Sequence, residues 1–335
     1  MNFYLIGIDY RRADINLREA VYHSQKEIAR FWNVSIQEAA ILSTCNRFEI
    51  YGADSLSSIG RLESFYSRFP QFAAGYYIAG RADVFRHALR LACGLESQLK
   101  GEAQILEQLG LWLRQKEIPA VLLNFWNTIL QEAKDIRNYA GLNQRGYNIA
   151  AAIFADLKRY RPCAEQLEVV IAGTGKIAEL LAVFRPDYVH LNFISHKNKL
   201  RAQKLAEYSK GLTLSFRDMP GVLSETDVLI SATSSPHFVF KKAHFEQLIS
   251  KRKAPLYLYD LAIPRDIEPS VAGLEGIVLK NLDDLTPTLK NFSVKIKDKL
   301  SLAEYLSGEA VKEYEQGAQD LKDRDASQQI SLKAS

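Results

Sequence analysis

The chain has 335 residues, 47% of them hydrophobic and 24% charged, with a formal net charge of +4. That length exceeds one ordinary core and calls for two or three domains, and the composition is that of a soluble globular protein. The mild positive charge permits contact with nucleic acid but lacks the basic stripe of a dedicated sequence reader.

The longest apolar runs, such as Ala39–Leu42 and Val169–Ala172, are strand-sized. They fall far short of the ~20 residues that cross a bilayer, so no membrane span is expected. The start, Met1-Asn2-Phe3-Tyr4-Leu5-Ile6-Gly7, has no basic segment and no long apolar region, which argues against a signal peptide. Three cysteines without Cys-x-x-Cys and six scattered histidines give neither a disulfide framework nor a metal site. A cytoplasmic, reduced, metal-free chain is expected.

In chain order, strands are read at Asn2–Asp9, Ala39–Thr44 and Phe48–Gly52, with a helix over Ile15–Trp32. Cys45-Asn46-Arg47 is therefore a strand end or a tight connection. Leu62–Phe69 reads as a helix and Tyr76–Ile78 as a short strand, which makes this stretch α+β. From Asp83 the pattern turns helical, with Val84, His87, Ala88, Leu91 and Leu95 on one face. Helical character continues through Ile105–Leu113, Leu122–Ile136 and Ile149–Leu157, until Arg161-Pro162-Cys163 breaks it and marks a domain boundary. Strands at Leu167–Ala172, Leu191–Ile194, Val228–Ser231 and Leu256–Tyr259 alternate with helices, so a parallel sheet is expected up to about Leu285. Beyond it, Phe292, Ile296, Leu300, Ala303, Leu306, Ala310, Tyr314 and Ala318 form one apolar stripe on a long helix. Gly308 and Gly317 weaken that helix by ~1 kcal/mol each. The polar tail from Asp323 is expected to fray.

Gly173-Thr174-Gly175-Lys176-Ile177-Ala178 follows a strand and opens a helix. That is the context in which Gly-x-Gly-x-x-Ala binds a dinucleotide. The first glycine allows the turn, the second admits a pyrophosphate to the backbone, and the small third residue lets helix and strand pack. An ordinary strand–helix turn is the bland alternative. At the end of the next strand, an enzyme using NAD carries a carboxylate for the ribose 2′-hydroxyl. Here stand Ser195-His196-Lys197, with Lys199 and Arg201 nearby, so donors await a 2′-phosphate and NADPH is expected. The alternative is a solvated helix start.

A hydride donor needs an acceptor, and a thioester on a cysteine thiolate is a good one. A cysteine needs help to ionise at neutral pH, and Arg47 stands two residues from Cys45. From chemistry alone a lone cysteine at a strand end is more often a small apolar structural residue than a catalytic one. Ser43-Thr-Cys-Asn-Arg-Phe-Glu-Ile-Tyr51 resembles the Ser-Thr-Cys-Asn-Arg-Thr-Glu-Ile/Val-Tyr signature of the glutamyl-tRNA reductase family. Further blocks follow in order: His87–Ser97, Gly101–Gln108, Asp227–Thr233 and Asp260–Pro269.

The resemblance implies a multidomain chain of mixed class, α/β and α+β. Residues 1–160 would be the N-terminal catalytic domain, 161–285 a Rossmann-like NADPH domain with a parallel sheet, and 286–335 a long spinal helix with a shortened dimerisation region. It implies an NADP-dependent oxidoreductase reducing glutamyl-tRNA(Glu) to glutamate-1-semialdehyde through a Cys45 thioester, the first step of five-carbon tetrapyrrole and haem biosynthesis. Cys45 and His87 would be catalytic, with a core histidine as the alternative for His87. Thr44, Asn46, Arg47, Ser97, Glu102, Ala103, Gln104 and Gln108 would bind substrate, with Arg47 on the γ-carboxylate. Gly173, Thr174, Gly175, Lys176, Ile177, Ala178, Ser195, His196 and Lys197 would bind the cofactor. Expected partners are the charged tRNA, a docked glutamate-1-semialdehyde aminomutase, and a second copy in a homodimer weakened by the short C-terminus.

The chain departs from the family at Asp9 and Tyr10, where a histidine is usual at the second position, and at Ala103, usually proline. Asp9 adds a carboxylate near a site that binds one. Cys93 is read as core. A diverged tRNA-binding or partner-docking protein and an NADP oxidoreductase of another small substrate are the competing readings.

Overall fold

A computed structural model describes residues 2–35, 39–54, 59–114, 118–143, 148–161, 166–195, 198–249, 252 and 254–333. Elements run β1 (Asn2–Asp9), α1 (Ile15–Ser35), β2 (Ala39–Thr44), β3 (Arg47–Asp54), α2 (Ile59–Arg68), β4 (Tyr76–Ala79), α3 (Arg81–Ala92), α4 (Gln104–Trp112) and α5 (Ala120–Tyr139). There follow α6 (Ile149–Tyr160), β5 (Leu167–Ala172), α7 (Lys176–Phe184), β6 (Val189–Ile194), α8 (Lys199–Ser209), β7 (Thr213–Leu214), α9 (Met219–Glu225) and β8 (Val228–Ser231). The last are α10 (Lys242–Ile249), β9 (Leu256–Asp260), β10 (Ile277–Asn281), α11 (Thr286–Val294) and α12 (Lys297–Lys333). Two compact units emerge: Met1–Arg12 with Gln25–Gln144 and Ser293–Ser335, and Ala13–Ser24 with Arg145–Phe292.

The first unit holds an antiparallel sheet in the order β2-β3-β1-β4. Leu5, Ile6 and Ile8 of β1 are fully buried, as are Ile50 and Tyr51 of β3. Tyr51 meets Trp126 of α5 edge-on at 4.9 Å, and Phe3 lies 4.4 Å from Phe125. The helix α12 packs on α3 and α5. Phe85 stacks on Tyr314 at 3.8 Å, and Arg81 Nε donates to the Tyr314 hydroxyl at 2.7 Å. Ile296, Ala303 and Val311 form the buried stripe. The expected single helix from Phe292 is in fact two, because Phe292 belongs to α11. No glycine or proline parts them; Thr288 and Leu289 are buried in one core and Ile296 in the other. The helix also continues to Lys333 through the polar tail, where fraying was expected; after Gly317 that segment has no glycine or proline to stop it.

The second unit is a parallel sheet in the order β10-β9-β8-β5-β6-β7. Numbered along this unit, that is 6-5-4-1-2-3, a doubly wound sheet whose order reverses between β5 and β8. Its strands are covered on both faces. Val170, Leu229 and Leu258 are buried with Phe240 and Phe245, so these strands read as unbroken apolar runs. The strands β7 and β10 were not anticipated; β7 has two residues, and β10 is a partly buried edge whose apolar run, Ile277–Leu279, is only three residues long. The Asp156 carboxylate ties α6 to three other elements of this unit. It accepts from Tyr259 of β9 at 2.8 Å, Lys280 of β10 at 2.6 Å and Thr288 of α11 at 3.1 Å.

Candidate active site

Cys45 and Asn46 form the two-residue turn between β2 and β3, since Thr44 pairs with Arg47. Asn46 N–H donates to Thr44 Oγ1 at 3.3 Å, and its carbonyl accepts from Tyr10 N–H at 2.9 Å. Cys45 is half-buried. It lies in the turn and Arg47 in the strand, so the alternation that would put i and i+2 on one face does not apply to this pair.

Arg47, Glu49 and Tyr51 do share a face of β3, and that face is buried. The Glu49 carboxylate is its hub. Oε1 accepts from Arg47 at 2.8 Å and from Tyr76 at 2.5 Å, Oε2 accepts from Tyr51 at 2.7 Å, and His87 Nε2 lies 3.0 Å away. Burial pushes this carboxyl up, but Arg47 and His87 outweigh it and hold it well below the usual carboxylate range. Arg47 also donates to the Glu96 carbonyl at 2.5 Å, leaving three of its five N–H donors. Through this contact His87 belongs to the Glu49 cluster.

The loop after α3 wraps around Arg137, a fully buried guanidinium from α5. Arg137 donates to the carbonyls of Cys93 at 2.7 Å, Gly101 at 3.1 Å and Leu142 at 3.1 Å. Gly94 adopts φ +80°, and a Cβ there would press on Arg137 Nη1 at 3.1 Å. Cys93 is buried, and desolvation pushes its thiol up to about 12, as suits a core residue. The same loop carries Ser97, buried, and Glu102, whose carboxyl is pushed up to about 7 by burial, against a Ser97 hydrogen bond and the charges of Arg47 and Arg137. Tyr10 donates to the Ser97 carbonyl at 3.3 Å. Asp9 does not stand as a bare carboxylate: Arg11 N–H and Nε reach it at 3.0 and 2.9 Å. Arg11 also pairs with Glu96, which accepts from Arg90 Nε at 2.7 Å. Ala103 and Gln108 are exposed on α4 and its cap, apart from this cluster. Two buried amide atoms, Asn46 Oδ1 and Gln104 Nε2, have no partner among the described residues.

In the second unit a cavity of about 610 Å³ opens at the carboxyl ends of β5, β6 and β8, at the switch point. Gly173, Thr174, Gly175 and Ser195 line it; Lys176, Ile177 and Ala178 start α7, with Ala178 fully buried. Gly173 has φ +113°, and a Cβ would strike the Ala232 carbonyl at 2.5 Å. A Cβ on Gly175 would meet nothing within 4 Å and would project into open space at the helix N-terminus. That is the room a pyrophosphate needs, so the residues fit a dinucleotide. Arg201 lines the cavity and pairs with Glu179. His196 and Lys197 lie outside the described residues. Thr233, Ser234 and Ser235 also line the cavity and were not anticipated. Buried Asp266 holds their loop, accepting from Ser231 Oγ at 2.7 Å, Thr233 N–H at 2.8 Å and Thr233 Oγ1 at 2.5 Å. Small hydroxyls directly after a buried parallel strand were the available signal.

The doubly wound sheet with its glycine-lined cavity, in a chain that also carries an α+β unit with a thiol in a tight turn, defines a nicotinamide-dependent oxidoreductase. Residues 6–139 match the family model of the glutamyl-tRNAGlu reductase N-terminal domain, and residues 155–288 that of shikimate / quinate 5-dehydrogenase. Glutamyl-tRNA reductase of Geotalea daltonii is 31% identical over 85% of this chain and 70% of its own length. That of Syntrophotalea carbinolica is 30% identical over 87% and 70%. The solved glutamyl-tRNA reductase of Methanopyrus kandleri superposes with TM-score 0.47 at 22% identity, over 97% of this chain and 82% of its own. The chain belongs to the glutamyl-tRNA reductase family. No helix among the described residues is long and apolar enough to cross a membrane.

Proposed function

We propose that the chain reduces the glutamyl ester of tRNA(Glu) to glutamate-1-semialdehyde with NADPH, through a thioester on Cys45, at the entry to five-carbon tetrapyrrole synthesis. The observation that carries this reading is the pair of orphaned amide atoms, Asn46 Oδ1 beside the thiol and Gln104 Nε2 at the start of α4. Buried polar atoms are rarely left unsatisfied, so these two, both on positions of the substrate-binding motif, are open to a ligand group. The acceptor suits an α-ammonium and the donor a carboxylate or carbonyl, both of which a glutamyl ester brings.

The Cys45 thiolate attacks the ester carbonyl, the C–O bond to the tRNA 3′-terminal ribose breaks, and the released oxygen takes a proton. Glu102, raised to about 7, exchanges protons near neutral pH and suits that transfer. Arg47 offers its three remaining donors to the γ-carboxylate while Glu49 holds it in place. His87, fixed to Glu49, orients the same wall. When bound, NADPH supplies the hydride that reduces the thioester carbonyl. Cys45 then leaves as thiolate and the aldehyde is freed; one hard reduction becomes two easier steps. Gly173–Ala178 and Ser195 would seat the cofactor, with His196, Lys197 and Arg201 toward the 2′-phosphate. That phosphate would compete with Glu179 for Arg201.

In this reading residues 1–160 hold the chemistry, 161–285 the cofactor and 286–335 the spinal helix. The work is cytoplasmic, in a homodimer, and the reactive aldehyde passes to a docked aminomutase. The test is single-turnover mixing with charged tRNA(Glu), with and without NADPH, beside Cys45→Ser. The expected result is NADPH loss that requires charged tRNA, and an acid-stable acyl-enzyme trapped without NADPH, both absent in the variant. Binding of both ligands with neither event would overturn the reading.

A further inference from the structure

The first unit contains a chain of charge contacts that the reaction as drawn does not use. It starts on α12, where Glu304 is half-exposed and pairs with Arg90 of α3. Arg90 Nε donates to Glu96 Oε1 at 2.7 Å. The other Glu96 oxygen pairs with Arg11, which holds Asp9 of β1. The backbone carbonyl of Glu96 accepts from Arg47 at 2.5 Å. The side chain of Glu96 is 8% exposed and is held between these two arginines.

We propose that Glu304 is a positioning residue that sets Arg47 and the Glu96–Ser97 loop through Arg90, so that the seating of α12 tunes how firmly the glutamyl group is held; this rests on the substrate reading above. Arg90 has two carboxylates to satisfy. With Glu304 in place its fork is held from both sides and Nε points at Glu96. Without Glu304 the arginine keeps one partner and gains freedom of rotation, and the loop whose carbonyl braces Arg47 loosens. The pair is partly exposed and contributes little to stability, so its loss is felt in positioning rather than in folding. The clamp of Phe85, Tyr314 and Arg81 keeps α12 on α3 independently.

The test is steady-state NADPH oxidation by the full chain with glutamyl-tRNA(Glu), comparing wild type, Glu304→Ala, Glu304→Gln and the double variant Arg90→Glu/Glu304→Arg. Glu304→Ala is expected to raise KM for the charged tRNA about fivefold to tenfold with kcat within about twofold, while the melting temperature stays near wild type. Glu304→Gln, which can still accept from Arg90, is expected to fall between. The double variant restores the pairing of α3 with α12 but sets a carboxylate against Glu96, so its KM is expected to stay high. A wild-type KM in Glu304→Ala overturns the inference, and so does a double variant that returns to wild-type KM, since helix pairing alone would then suffice. If the double variant does not fold, Glu304→Ala decides. A wild type that oxidises no NADPH with charged tRNA overturns the substrate reading itself, and the inference with it.

Discussion

In the antiparallel unit Arg47, His87, Tyr51 and Tyr76 converge on the buried carboxylate of Glu49, whereas the nucleotide cavity is walled mainly by glycine backbone and small hydroxyls. The first site therefore carries its charges already neutralised within the unit, and disturbing them disturbs the fold. The second presents empty space and backbone, so a substitution that only fills the space costs binding and leaves folding alone. Position, more than residue type, should decide which of the two costs is paid.

The sharpest break of that contrast is Glu49→Gln. It leaves Arg47 buried against a neutral amide, and breaking a buried pair costs about 3–5 kcal/mol. A drop of that size in the unfolding free energy, seen as a lower urea midpoint, is expected together with loss of activity. Acid should mimic it. The carboxyl sits below its ordinary value in the folded state, so its stabilisation is complete above about 4.5 and is lost as pH falls below that toward the folded value. An unchanged urea midpoint would mean that the cluster is not tied to folding.

Within the cavity the two glycines should part company. Gly173→Ala forces a side chain onto φ +113° and against the Ala232 carbonyl, and is expected to destabilise the unit by about 1–3 kcal/mol. Gly175→Ala meets nothing in the protein and is expected to leave the melting temperature unchanged while weakening dinucleotide binding at least about tenfold, read by fluorescence titration with NADPH. Equal thermal losses in both would erase the distinction between a folding cost and a binding cost.

Glu102 offers the opposite pH dependence to Glu49. Its folded value, about 7, lies above the ordinary 4.5, so the ionised form is the strained one. Stability is highest below about 4.5 and falls as pH rises through 7. Glu102→Gln should therefore match wild type near pH 4 and exceed it near pH 8, by on the order of 2 kcal/mol once partial exposure is allowed for. Equal pH profiles of melting would show that Glu102 is well solvated.

The motif around Cys45 was legible because a turn residue and two strands announce themselves over nine positions, and the glycine loop because its strand and helix flank it directly. The polar face of β3 was legible in principle: Arg47, Glu49 and Tyr51 alternate with Phe48 and Ile50. What the alternation does not reveal is that both faces are buried, because the partners Tyr76 and His87 arrive from β4 and α3. Arg137 was invisible for the same reason, serving carbonyls of a loop that begins 44 residues earlier. The Thr233–Ser235 wall depends on Asp266, brought back by the next strand and loop. Local pattern reports a residue's own conformation, while a buried polar group is defined by whoever satisfies it.

The smallest expected effect concerns α12, whose composition and packing disagree. Gly308 and Gly317 lie inside the helix, and a Cβ on either would meet nothing within 4 Å. Alanine at each should stabilise the helix by up to about 1 kcal/mol without touching a neighbour, slowing amide exchange along α12. If tertiary contacts alone hold it, through the Phe85–Tyr314 stack and the Arg90–Glu304 pair, exchange at Gly308 will not change, because the stack lies C-terminal and the pair N-terminal to it. Gly317→Ala, beyond both the stack and the Arg90–Glu304 pair, should then show the larger slowing.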